Sequence, residues 1–130
     1  MYDFKTFPTQ GKTKTPWGDG SGYVIASGIT LLTTESHGGI HVSDERLVEM
    51  PDVIRNLDPF AGRGWYEEHC DWALVAMAFP EHFSGEHCRA AIRTAHRWKN
   101  EVNWDAYLTD TAQGRLCAKK ASQTAASMQP

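Results

Sequence analysis

Residues 23–42 read Tyr23-Val24-Ile25-Ala26-Ser27-Gly28-Ile29-Thr30-Leu31-Leu32-Thr33-Thr34-Glu35-Ser36-His37-Gly38-Gly39-Ile40-His41-Val42, and this stretch decides the fold class. Residues 23–26 and 29–34 are rich in β-branched and aromatic side chains, which suit a pleated surface. Ser27-Gly28 between them is a tight-turn signal. His37-Gly38-Gly39 turns the chain again, and residues 40–42 make a short third strand. The expectation is a three-stranded antiparallel meander.

Helical signals follow the meander. Ser43 is placed to cap a helix, with Asp44 and Glu45 in the first turn, where the helix dipole favours acid. That helix runs to about Met50, and Pro51 opens a second short one. Residues 58–64 read as a loop. Over 65–79, Tyr66, Cys70, Ala73, Leu74 and Met77 share one arc at helical spacing, and the second half is apolar nearly all round. This predicts a central buried helix, stopped by Pro80, against which the sheet packs. A second amphipathic helix covers about 85–98, with Cys88, Ala91, Ile92, Ala95 and Trp98 on its apolar face. Residues 103–109 hold a further turn, with Trp104, Tyr107 and Leu108 packing back. The fold class is therefore α+β. Residues 1–15 form an N-terminal arm pinned by Tyr2, Phe4 and Phe7, 16–110 a single domain, and 111–130 a mobile or weakly helical C-terminal tail.

The chain has 130 residues, of which 41% are hydrophobic and 22% charged, which argues against disorder of the whole chain. No apolar run reaches the roughly 18 residues that span a membrane. Cys70, Cys88 and Cys117 make an odd number, unlike a secreted disulfide framework, and point to a reducing cytoplasm. The net charge of −3 is uneven. Between Glu35 and Glu81, ten carboxylates face three arginines, a net −7. An acidic domain of this kind argues against a basic nucleic-acid surface and suits a basic partner.

Several residues are of chemical interest. In His37-Gly38-Gly39 two glycines let backbone approach a ligand and the imidazole can donate, accept or bind metal. The plain alternative is a turn. His37, His41, His69, Cys70, His87 and Cys88 are of ligand type, but there is no CxxC, and helical neighbours such as His69 and Cys70 point about 100° apart. Cys70 and Cys88 read as small buried hydrophobes, so no metal and no cofactor is expected. Cys70 beside Glu67, Glu68 and Asp71 is a weak candidate nucleophile. Arg89, Arg93 and Arg97 recur every four residues as an exposed stripe that either grips an acidic group or pairs within the chain. No phosphate-loop, dinucleotide, HExxH or GxSxG signature is present.

Three strings belong together: Thr15-Pro16-Trp17-Gly18, residues 34–43 around His37-Gly38-Gly39, and Gly64-Trp65-Tyr66-Glu67-Glu68-His69-Cys70-Asp71-Trp72. They resemble an uncharacterised domain family of proteobacteria, their phages and plasmids, whose members read TPWG, then T-x-x-HGG-x-x-LS, then WYEEDCDWA-x-V. The chain departs at Val42, where Leu is usual, and at His69, where Asp is usual. The resemblance covers residues 14–110 and implies a setting rather than an activity: accessory proteins of mobile elements, near antirestriction and other anti-defence functions.

Together these give a functional expectation. The chain is a cytoplasmic, non-enzymatic, phage- or plasmid-encoded inhibitor of a bacterial defence complex of CRISPR–Cas type. It binds protein through an acidic face of Glu35, Asp44, Glu45, Glu49, Asp52, Glu67, Glu68 and Asp71. Arg89, Arg93 and Arg97 form a second contact, and neither nucleic acid nor membrane is touched. The alternative is a small-molecule or nucleotide-binding protein, or a hydrolase. Its pocket lies between His37-Gly38-Gly39 and the 67–71 segment that carries Cys70.

Overall fold

A computed structural model describes residues 7–8 and 12–127, with side chains described over 12–123; Tyr2 and Phe4 of the expected arm lie outside this range. The chain divides into two compact units, Met1–Trp72 and Ala73–Pro130. Charge divides with them: the first unit carries net −5 and the second +2.

The first unit is built on an antiparallel sheet with six strands among the described residues. They are β1 (Phe7–Pro8), β2 (Thr13–Thr15), β3 (Gly18–Ala26), β4 (Ile29–Thr33), β5 (Gly38–Val42) and β6 (Trp65–Glu67). The order is β1-β3-β4-β5-β6, with β2 also pairing with β3. The expected meander is its centre, β3-β4-β5, and the sheet extends beyond it on both sides. Gly28, at φ 80°, makes the β3–β4 turn as the sequence predicts. Ile29, Leu32, Ile40 and Val42 are 2% exposed or less and supply much of this unit's core.

Two short helices, α1 (Asp44–Leu47) and α2 (Asp52–Arg55), connect β5 to β6. Ser43 caps α1 as expected, its hydroxyl accepting from the Arg46 N–H at 3.3 Å. The helix ends at Leu47 rather than Met50. Leu47, Met50 and Ile54 turn inward and are at most 4% exposed.

The predicted helix over 65–79 is corrected by the structure. Residues 65–67 are strand β6, and helix α3 spans only Trp72–Ala78. Trp65 and Tyr66 suit a strand, and Tyr66 at 2% exposure alternates with half-buried Trp65 and Glu67. The apolar half does form a helix buried on every side: residues 72–79 are all 4% exposed or less.

In the second unit a 3-10 turn at Pro80–His82 leads to α4 (Gly85–Trp98), α5 (Trp104–Asp110) and α6 (Ala112–Ser127). Ser84 caps α4 and Asn103 caps α5, accepting from His87 N–H at 3.1 Å and Ala106 N–H at 3.1 Å. The stretch read as a C-terminal tail thus contains a helix of 16 residues. Its small residues let it lie close to its neighbours. Cys117 is fully buried beside Cys88, and a Cβ on Gly114 would press on the Tyr107 carbonyl. The Lys120 ammonium donates to the carbonyls of Pro80, at 2.8 Å, and Phe83, which ties α6 to the 3-10 turn. Trp98, expected on the apolar face of α4, is instead 56% exposed, with the Arg97 guanidinium 5.0 Å above its ring.

Candidate functional site

The turn that carries His37 is held by Thr34. The Thr34 hydroxyl accepts from the His37 N–H at 3.0 Å and donates to the His37 carbonyl at 2.6 Å, while the Thr34 N–H donates to the same carbonyl at 2.9 Å. The two glycines that follow have steric reasons to be glycine. A Cβ on Gly38 would lie 2.5 Å from the Leu32 carbonyl oxygen, and one on Gly39 would meet the Tyr66 carbonyl and, at 2.5 Å, the edge of Trp17. Trp17 in turn meets Trp65 edge-on at 5.9 Å between centroids. The expected turn at His37-Gly38-Gly39 ends at His37: both glycines lie in strand β5 and neither has positive φ.

Strand β6 pairs with β5 in the register Gly39↔Glu67, and the Glu68 N–H continues the ladder to the Gly38 carbonyl at 3.0 Å. The pairing therefore brings the His37 turn against the 67–71 segment. The Glu67 carboxylate is used up locally: it accepts from the N–H groups of His69 at 2.7 Å, Cys70 at 2.6 Å and Asp71 at 2.7 Å. This wraps the chain into a turn and delays the helix to Trp72.

Glu68 is the residue on which the two histidines converge. Its Oε1 lies 3.7 Å from His37 Nδ1 and 3.8 Å from His69 Nε2, and the two imidazole centroids are 6.4 Å apart. Side-chain exposure is 58% for His37, 25% for Glu68 and 73% for His69, so the cluster faces solvent. His41, four residues after His37 and within β5, is covered by Trp65 at 4.4 Å between ring centroids. Burial lowers the His41 pKa from 6.5, with nearby Asp44 opposing the shift. The folded state thus favours neutral His41, and the unfolded chain binds more protons. Its contribution to stability is complete above about pH 6.5 and is lost as pH falls through the depressed folded value. His41→Gln should remove this part of the loss, read as a flatter decline of Tm below about pH 6.5 than in the parent.

The expected acidic face is only partly present. Asp71 is 1% exposed and accepts from the Phe60 N–H at 2.8 Å, holding the 58–64 loop, and so offers no contact surface. Glu67 is spent on backbone, as described. Glu35, Asp44, Glu45, Glu49 and Asp52 are exposed. Three of these meet arginines: Asp44 with Arg63 at 3.8 Å, Glu49 with Arg46 at 3.6 Å, and Asp52 with Arg55. Three apolar side chains of the same unit that the sequence reading missed are also exposed: Val48 at 65%, Val53 at 38% and Phe60 at 92%. A groove of about 480 Å³ is lined by Leu47, Val48, Leu57 and Tyr66 along with Arg55 and Arg63. A second, of about 670 Å³, runs past Lys12, Trp17, Asp19, Thr34 and Glu35, next to the His37 turn.

In the second unit, Arg89, Arg93 and Arg97 are exposed along α4, as expected. Among the described residues none of the three forms an ion pair. Cys88 is fully buried. The adjoining Cys88 thiol, then burial, push the Cys117 thiol far above the usual range, which keeps it protonated and unreactive.

Residues 10–129 match the family described as Domain of unknown function (DUF7007). The chain belongs to that family. The DUF7007 match takes in both units and all three strings quoted above, including the His37 turn and the 64–72 segment. No curated protein and no solved structure matches the chain. No helix among the described residues is long and apolar enough to cross a membrane.

Proposed function

We propose that the chain is a protein-binding inhibitor that meets a basic surface of a bacterial defence complex through the face built by α1 and α2. The observation that carries this reading is the mixture on that face. Exposed Asp44, Glu45, Glu49 and Asp52 interleave along the chain with exposed Val48 and Val53, in a unit of net charge −5. Apolar anchors ringed by charge are what a protein interface uses: the anchors supply affinity and the charge supplies on-rate. Arg46 beside Glu49 is only 19% exposed and donates to the Ser27 carbonyl at 2.7 Å, but the Asp44–Arg63 and Asp52–Arg55 pairs are exposed, and pairs of that kind contribute only about 0–1 kcal/mol each. They are readily exchanged for a partner's cations. The defence setting comes from the resemblance of the three strings to chains of phages and plasmids.

The test is capture of a nucleic-acid-handling defence complex from a host that has one, using the immobilised chain. Glu45→Lys, Glu49→Lys and Asp52→Lys together should abolish capture, Val48→Ala should weaken it, and both variants should melt close to the parent. Undiminished capture by the triple variant would remove α1 and α2 from the interface.

A second reading, a ligand site at the His37 turn, has its own observation behind it: the β5–β6 register that gathers His37, Glu68 and His69. A His37→Ala chain that folds but no longer inhibits, beside a fully active triple lysine variant, would favour it.

A further inference from the structure

We propose that His37, Glu68 and His69 form a binding site for one divalent transition-metal ion of the zinc class. The inference rests on the second reading above and gives it a chemistry; it is independent of the α1–α2 face. It also sets aside the expectation of no metal, which considered only histidines and cysteines and placed His69 on a helix.

Each of the three residues presents one donor atom, and these atoms all lie within 4.8 Å of one another. Donors around a tetrahedral zinc at about 2.0–2.1 Å stand roughly 3.3 Å apart. The gaps from Glu68 Oε1 to His37 Nδ1 and His69 Nε2, 3.7 and 3.8 Å, are near that value. Exposed imidazoles close the difference by small χ rotations. The backbone beneath each donor is already fixed: His37 by Thr34, Glu68 by the Gly38 carbonyl, His69 by Glu67. Little ordering is left for the ion to impose. Gly38 leaves the space beside Glu68 open, since a Cβ there would stand 3.4 Å from Oε2. Two imidazoles and one carboxylate suit zinc, nickel or copper rather than magnesium or calcium, which take all-oxygen shells. Three protein ligands on an exposed ridge leave coordination positions for water or a partner's side chain.

The test is titration of the full, metal-stripped chain with zinc chloride, read by calorimetry and by metal analysis after gel filtration, with magnesium chloride as the control ion. One equivalent of zinc is expected to bind and magnesium is not. His37→Ala, Glu68→Gln and His69→Ala should each weaken binding at least tenfold while Tm without metal stays near the parent's. Cobalt(II) in place of zinc should give a visible absorption band that the His37→Ala chain lacks. Less than a tenth of an equivalent bound, or one equivalent bound equally by all three variants, would overturn the site. Loss of inhibition in His37→Ala without zinc binding by the parent would also overturn the metal, and would leave a metal-free ligand site at the turn.

Discussion

Leu74→Ala is expected to lower the unfolding free energy by about 2–5 kcal/mol. Leu74 lies mid-way along α3 and is fully buried, as are Ala73, Val75, Ala76 and Met77 around it. Truncation removes buried methyl groups and leaves a cavity that a helix enclosed on every side is poorly able to collapse. Urea titration of parent and variant gives the difference directly. A change under about 0.5 kcal/mol is what surface positions show and would contradict the burial of α3.

Gly39→Ala should destabilise by about 2–3 kcal/mol or more, although it adds a single methyl group. That methyl would press on the Tyr66 carbonyl, stand 2.5 Å from the Trp17 ring edge and 3.0 Å from the Glu67 Cα. Two of these neighbours are backbone on the paired strand, so relief requires parting β5 from β6, not turning a side chain. Gly62→Ala makes a useful contrast: open space surrounds that position, and its strain comes only from φ 111°. Urea titration again decides, and a Gly39→Ala chain as stable as the parent would contradict the β5–β6 register.

The centre of the fold was legible because its signals are local. The β-branched run 29–34, the Ser27-Gly28 turn and the Ser43 cap each act within a few residues, and all three stand as read. The amphipathic pattern of α4 was equally plain, apart from exposed Trp98. The edges were harder for identifiable reasons. Strands β1 and β2 have 2 and 3 residues and take their shape from β3, not from their own propensity. Strand β6 was hidden because Tyr66, Cys70, Ala73 and Met77 fall at helical spacing, and only the Glu67 carboxylate, by holding three backbone N–H groups, shows that the helix begins later. Helix α6 has few large apolar residues and uses Gly114, Cys117 and Ala121 for close approach, which composition does not reveal.

The same non-locality explains the site. His37-Gly38-Gly39 stood out as a string, and its meeting with the 67–71 segment was anticipated as a pocket requirement. The central place of Glu68 between His37 and His69 follows only from the β5–β6 register. Glu67 and Asp71 looked like surface acids because sequence counts charges without seeing the N–H groups that occupy them. Val48, Val53 and Phe60 are exposed, which composition does not reveal, because whether an apolar side chain turns outward is decided by tertiary packing.

Inhibition through the α1–α2 face is tested by phage plaquing on a host with an active CRISPR–Cas system that expresses the chain, its triple lysine variant at Glu45, Glu49 and Asp52, or nothing. The parent chain is expected to restore plaques by at least tenfold over the empty host, and the folded triple variant is not. Equal plaquing with and without the parent chain, across hosts carrying different defence complexes, would contradict it.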